Sequence, residues 1–278
     1  MSEAAKDFAL SRAQFDDIRQ RIDEYAGISL ADTKHDMVYS RLVRRLRALR
    51  CRDFDDYLRR VEADEDGERQ AFVNALTTNL TSFFREAHHF DVLSKVLAGY
   101  GGRRIRIWCS AASTGEEPYS IAMTVVEQFD SWTPPVEIIA TDINTDVLSK
   151  CRGGIYAAER IEDVTMQRKR RFFLRGSGPQ AGKVRVRPEL TRLIHFEPFN
   201  LLSPDWSRFR DLDIVFCRNV MIYFDKPTQA RLLRRFHRCL NPGGWLFVGH
   251  SESQARGVEG FVSQGHTVYR SQAAEVAA

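Results

Sequence analysis

The stretch IRIWCSAASTGEEPYSIAM, Ile105 to Met123, decides the fold class. It begins as a buried strand and ends as a helix. The turn between them sits where an α/β protein usually cradles a phosphate. Yet it holds one glycine, Gly115, followed by two acids, Glu116 and Glu117. A dinucleotide fingerprint needs several glycines so that the backbone can approach a pyrophosphate, and a Walker loop needs a lysine after its final glycine. Neither is present. The acids suit the first turn of a helix and Pro118 suits its first positions, but together they repel phosphate. The turn favours a ligand without phosphate, and preferably a cationic one.

Toward the C-terminus the apolar runs VEIIATD, LIHFEPF, LDIVFC and GWLFVGH alternate with helical stretches such as KPTQARLLRRFHRCL. Buried strands alternating with helices predict an α/β domain with a mostly parallel sheet covered on both faces. In such sheets ligands bind beyond the carboxyl ends of the strands, where the strand order reverses. The second strand ends in Asp142, where doubly wound folds place an acid that hydrogen-bonds ribose hydroxyls. S-adenosylmethionine has an adenosine, an ammonium group and a sulfonium, and so meets both conditions. Taken singly, each acid reads equally well as a helix-start feature or a cap. Their order on consecutive strands favours the ligand.

One segment breaks the alternation. RKRRFFLRGSGPQAGKVRVRPEL, Arg168 to Leu190, reads as two short strands around a glycine-rich turn, part of a small antiparallel β-subdomain inserted at about residues 155–192. In KVRVR, Lys183, Arg185 and Arg187 point one way while Val184 and Val186 point the other. Residues 1 to about 92 read instead as an all-α domain, and residues 93–278 as the α/β domain. In the second helix Val38, Leu42, Leu46 and Leu49 form an apolar stripe, and Arg41, Arg44, Arg47 and Arg50 recur on the other side. Six arginines and no acid fall between Arg41 and Arg52. A face of unbroken sign is unusual for a merely solvated helix.

With 43% hydrophobic and 28% charged residues, the 278-residue chain can bury a sizeable core. Its net charge of +4 does not by itself imply nucleic acid. Five cysteines, an odd number and widely spaced, argue against a disulfide framework or a zinc site, and no metal is expected. MSEAAKDFALSRAQF lacks the apolar core of a secretory signal, so a cytoplasmic protein is expected.

The stretches NALTTNLTSFFREAHHF, WCSAASTGEEPYSIAM, ATDIN, FNLL, FCRNVMIYFDK and LNPGGWLFVGHSES resemble the chemotaxis receptor glutamate methyltransferases, the CheR family, in the family's order and over nearly the whole chain. The resemblance implies a helical N-terminal domain and a Rossmann-like S-adenosylmethionine-binding domain carrying a small β-subdomain. It implies that Asn79, Thr81, Arg85, Glu117, Asp142, Asn200, Leu201, Arg218 and Asn219 contact the cofactor, and that Arg85 and Tyr223 lie beside the transferred methyl group. It further implies methylation of receptor glutamates, with S-adenosylhomocysteine as product. The partners it implies are cytoplasmic domains of chemoreceptors, met by the basic helix. In some members the β-subdomain docks a C-terminal receptor pentapeptide. Here Gly176, Gly178, Gly182, Lys183, Arg185 and Arg187 match that role, with KVRVR offering a free edge.

The chemistry is consistent with these residues. A glutamate with a pKa of about 4.3 is already ionised, so no strong general base is required. The competing readings are a methyltransferase acting on nucleic acid or a small molecule, and a non-catalytic adaptor that binds S-adenosylmethionine. CRNVMIYF after the fourth strand lacks the Asn/Asp-Pro-Pro-aromatic motif of amino methyltransferases, and Arg85 and the acidic turn, whose loss would mark an adaptor, are present.

Overall fold

The structure, a computed structural model, describes residues 7–255 and 260–272. The chain forms two compact units, one through Thr78 and one from Asn79. The division therefore falls earlier than the boundary near residue 92 expected from the sequence.

The first unit is four helices, α1 (Arg12–Ala26), α2 (His35–Leu49), α3 (Phe54–Ala63) and α4 (Glu68–Leu76). Ser11 and Gln14 close a capping box at the start of α1, and Gly27 ends it in the left-handed region. Phe15, Ile18, Ile22, Val38, Leu42, Leu46, Phe54, Tyr57 and Phe72 are buried together as the core. Glu68 is buried with them and accepts hydrogen bonds from Arg45 Nε at 3.0 Å and Tyr57 Oη at 2.9 Å.

The basic face of α2 differs from the expectation. Three residues fall about 60° short of a full helical turn, so arginines at that spacing fan around the helix instead of lining one side. Arg41 is half-buried and donates to the carbonyls of Leu76 at 2.9 Å and Thr77 at 2.8 Å, capping the end of α4. Arg44, Arg47 and Arg50 are exposed, with Arg47 paired to Asp7.

The second unit runs α5 (His88–Ala98), β1 (Ile105–Cys109), α6 (Glu116–Phe129), β2 (Val136–Asp142), α7 (Thr145–Gly153), β3 (Ile155–Ala157), α8 (Met166–Phe172), β4 (Phe173–Arg175), β5 (Lys183–Val186), α9 (Pro188–Thr191), β6 (Ile194–Pro198), β7 (Leu212–Cys217), α10 (Lys226–Cys239), β8 (Leu240–Val248), β9 (Phe261–Ser263) and β10 (Val268–Ser271). A seven-stranded sheet has the order β6-β2-β1-β7-β8-β10-β9. The strands from β6 to β8 are parallel, and β10 and β9 extend the sheet antiparallel. Successive residues of β1 enter opposite cores, as the two-residue period of a strand requires. Ile107 and Cys109 pack with Leu93, Ile121 and Leu148 from α5, α6 and α7, while Trp108 packs with Leu232 and Phe236 of α10 and stacks on Phe209 at 3.9 Å.

The insertion is a three-stranded antiparallel sheet ordered β3-β5-β4. Two corrections follow. KVRVR is the central strand, with both edges already paired, so it offers no free edge; the edges belong to β3 and β4. Lys183 and Arg185 are exposed as the alternation predicts, but Arg187 lies past the strand, half-buried, and donates to the Arg171 carbonyl at 2.9 Å. The glycine turn also serves the hairpin itself. A Cβ on Gly176 would sit 2.1 Å from the Gln180 carbonyl oxygen, and the Gly176 N–H donates to Lys183 O at 2.9 Å. Gly178 and Gly182 hold left-handed backbone.

Candidate active site

The strand order reverses beside β1. The chain crosses from β1 to β2 on one side and later returns to place β7 on the other. The turns after β1, β2, β6 and β7 all emerge from the same edge of the parallel region, the place where such sheets hold ligands. Asp142 lies at the end of β2, Asn200, Leu201, Arg218, Asn219 and Tyr223 on these turns, and Glu117 in the first turn of α6 that follows β1.

Asp142 ends β2 and is buried. Its Oδ2 accepts from Ser113 N at 2.8 Å, and its Oδ1 accepts from Asn144 N at 2.9 Å. With a further backbone bond from Ile143, the carboxylate ties the acidic turn to its own strand while keeping acceptor capacity for a ligand. Burial raises its pKa above the ordinary aspartate value, against the lowering effect of these N–H donors.

The two glutamates of the turn have separate duties. Glu116 is buried and pairs with Arg160, from the turn after β3; Thr114 Oγ1 donates to it at 2.6 Å. The same Arg160 donates to Thr81 O at 2.7 Å. Glu116 is therefore a strut between segments. Glu117 Oε2 accepts from Arg218 Nη1 at 2.7 Å, and its Oε1 accepts from Cys109 Sγ at 3.3 Å. Burial raises the Glu117 pKa while Arg218 opposes the rise. Gly115, at φ 103°, is required by packing: a Cβ there would meet the Tyr156 hydroxyl at 2.6 Å.

Arg218 is fully buried and also reaches Arg85 O and the Glu86 carboxylate at 3.5 Å. It thereby joins the turn after β7 to the segment that carries Asn79, Thr81 and Arg85. Arg85 is half-buried, and its Nη1 donates to Leu80 O at 3.0 Å. Tyr223 is half-buried, with its neighbours Met221 and Phe224 supplying the core contacts. Asn200 folds its own turn, with Oδ1 accepting from Leu202 N at 2.8 Å, and Leu201 is buried.

Two residues were missed by the sequence reading. Arg160 is one. The other is Glu252, buried after β8, whose carboxylate accepts from the N–H groups of Asn219, Met221 and Gly249, each at 2.7 Å. It holds Asn219 in left-handed backbone at φ 58° and fixes the start of the turn that presents Tyr223. Burial raises its pKa, and the backbone N–H groups of Asn219, Gly249, Met221 and Val220 oppose that. The signal was the run GHSES, quoted for its resemblance but not read for its acid.

The residues fit the cofactor that the sequence suggests. Two buried acids lie at the carboxyl ends of the parallel strands, where no phosphate-binding glycine loop is present, and the Ser113 hydroxyl beside Asp142 is buried without a partner among the described residues.

Comparison with known proteins agrees. Residues 79–269 match the CheR methyltransferase, SAM binding domain, and residues 13–77 match the CheR methyltransferase, all-alpha domain. Chemotaxis protein methyltransferase 2 of Pseudomonas aeruginosa is 52% identical over 266 residues, covering 95% of each chain. The chemotaxis protein methyltransferase of Escherichia coli is 51% identical over 262 residues, covering 94% of this chain and 91% of that one. Among solved structures, the [4+2]-cyclase SpnF aligns at 14% identity with a TM-score of 0.35, over 62% of this chain and 48% of that one, too slight a likeness to bear on function. With both of its compact units matched in order, the chain belongs to the CheR methyltransferase family, an all-α domain followed by an S-adenosylmethionine-binding domain.

Proposed function

We propose that this protein transfers a methyl group from S-adenosylmethionine to the side-chain carboxylate of glutamates on the cytoplasmic domains of chemoreceptors, forming methyl esters that reset receptor signalling. The observation that carries the reading is the pair of buried acids, Glu117 and Asp142, at the carboxyl edge of the parallel strands, within a chain of this family. When bound, S-adenosylmethionine supplies a methyl carbon made electrophilic by its sulfonium. Asp142 would accept from a ribose hydroxyl with the acceptor capacity left by Ser113, Asn144 and Ile143. Glu117 offers negative charge toward the ammonium end. Asn79, Thr81, Asn200, Leu201 and Asn219 line the same cofactor site.

The nucleophile arrives ionised, so the protein's task is alignment, which can supply up to about 7–11 kcal/mol of barrier lowering. Arg85 orients one oxygen of the incoming carboxylate and leaves the other free to attack. A two-pronged grip on both oxygens would weaken the nucleophile. Tyr223, presented by a turn that Glu252 braces, donates near the methyl group.

The β-subdomain is the proposed dock for a receptor C-terminal pentapeptide. An extended peptide adds to a free edge by main-chain hydrogen bonds, and here those edges are β3 or β4, with exposed Lys183 and Arg185 on the adjacent central strand favouring an acidic group. The exposed arginines of α2 would steer the protein toward glutamate-rich receptor helices. No helix among the described residues is long and apolar enough to cross a membrane, and action from the cytoplasmic side suits this substrate.

The test is transfer of labelled methyl from S-adenosylmethionine to receptors of the same cell. Base-labile label on glutamates is expected. Cofactor binding without transfer to any receptor would instead mark an adaptor.

A further inference from the structure

Three side chains from one short stretch, Glu86, His88 and His89, bring potential ligand atoms within 4.8 Å of one another. His89 is wholly buried, and its Nε2 lies 2.9 Å from the His266 carbonyl oxygen. A carbonyl only accepts, so Nε2 carries the proton. The nearby Thr267 hydroxyl is itself directed to that carbonyl at 2.6 Å. In the neutral ring Nδ1 is then a bare acceptor. It is buried, and no donor reaches it among the described residues. What faces it, at 3.6 Å, is a second acceptor, Glu86 Oε2, buried and without a hydrogen bond among the described residues, with the Arg218 guanidinium beside it at 3.5 Å. Two buried acceptors directed at each other are costly unless an electropositive atom lies between them.

His88 supplies a third donor group, its ring 4.3 Å from that of His89. A proton could bridge only Glu86 and His89; a water could donate to both and accept from a His88 N–H, so a metal titration is what separates water from a metal ion. A ring that donates its far N–H to a backbone carbonyl is also the arrangement that orients metal-bound histidines. The local charge permits a cation. Arg218 is the cation nearby, but it faces two carboxylates, Glu86 and Glu117. Two imidazole nitrogens and one carboxylate oxygen suit zinc and its transition-metal neighbours, whereas magnesium and calcium prefer oxygen alone.

We propose that Glu86, His88 and His89 form a site for a zinc-like divalent ion that pins the segment carrying Arg85. That segment has a need for a pin. Phe84 and Glu86, on either side of Arg85, both occupy the left-handed region, at φ 53° and 55°, a conformation that persists only where surrounding contacts enforce it. The ion takes no part in methyl transfer.

The experiment uses tag-free full-length protein, stripped with a chelator, dialysed, and titrated with Co2+, Zn2+ and Mg2+. The expected result is uptake of one Co2+ per chain with visible d–d bands, displacement by Zn2+, a Zn2+-dependent rise in Tm, and no response to Mg2+. His88→Ala and Glu86→Gln are each expected to weaken uptake by at least about tenfold while keeping the wild-type circular dichroism. Wild-type protein that takes up no stoichiometric Co2+ overturns the proposal and leaves a proton or water between Glu86 and His89. Folded variants that bind Co2+ as wild type does overturn it equally. If both variants fail to fold, the wild-type cobalt titration decides alone.

Discussion

Asp142→Asn separates ligand binding from folding. In the wild type the carboxylate accepts the backbone N–H groups of Ser113, Asn144 and Ile143. An asparagine keeps one acceptor and turns the other toward an N–H as an NH2 group, so one charge-assisted bond is lost, worth about 1.5–3 kcal/mol. Offsetting that, the carboxylate is held at a raised pKa by burial, so the folded state gains by discarding its charge. Net loss of stability is therefore expected to stay below about 2 kcal/mol. Cofactor binding has no such offset. Losing a charged acceptor for the ribose at about 1.5–3 kcal/mol corresponds to roughly 10- to 150-fold weaker affinity. The assays are urea unfolding and calorimetry with S-adenosylhomocysteine. The pH dependence has a matching sign. Because the folded pKa is raised, acidification through it stabilises the fold at this group while weakening cofactor binding. Unchanged affinity in the variant would refute the ribose assignment, and collapse of the fold would make Asp142 a structural brace alone.

Arg218→Ala strands Glu117 in a buried site and should cost about 3–5 kcal/mol; adding Glu117→Gln should recover much of it in the same unfolding assay. Arg85→Ala, whose side chain is only half-buried, should leave stability within about 1 kcal/mol yet depress turnover more than receptor docking, as single-turnover kinetics would show. Arg44→Glu with Arg50→Glu should slow association with receptor and flatten its salt dependence, with cofactor affinity unchanged; Arg41→Ala should instead lower stability by about 0.5–1.5 kcal/mol through its lost cap bonds. Deleting part of Gly176–Gly182 should abolish pentapeptide binding and spare cofactor binding, and calorimetry against peptides from every receptor of the organism checks both.

The parallel sheet was legible because its strands are buried on both faces and announce themselves as apolar runs. LDIVFC is buried at every residue and was read with its observed limits. Short elements were not legible. β3 is three residues with only Tyr156 buried, too brief for a period to show. RKRRFFLR read as the first of two short strands, but Thr165 caps the helix α8 over most of it, accepting from Arg168 N. The domain boundary slipped because α5 is as helical as the first unit's elements; its partner is α6, to which Ser94 Oγ donates at Gln128 Oε1, 2.6 Å away. In the candidate site, local chemistry singled out the acidic turn and Asp142. Arg160 and Glu252 act across 44 and 33 residues, distances at which spacing carries no information.

The foot of the β-subdomain has a bearing on engineering. Tyr156 Oη donates to Thr114 O at 2.8 Å, and Arg160 spans Glu116 and Thr81. Both residues lie inside the insertion, yet they buttress the cofactor turn. A chimaera that exchanged receptor preference by transplanting residues 155–192 wholesale would carry off two supports of the catalytic half. A graft that spares Tyr156 and Arg160 begins beyond residue 161, exchanging β4, β5 and their connecting turn while the first leg of the insertion stays with its own host.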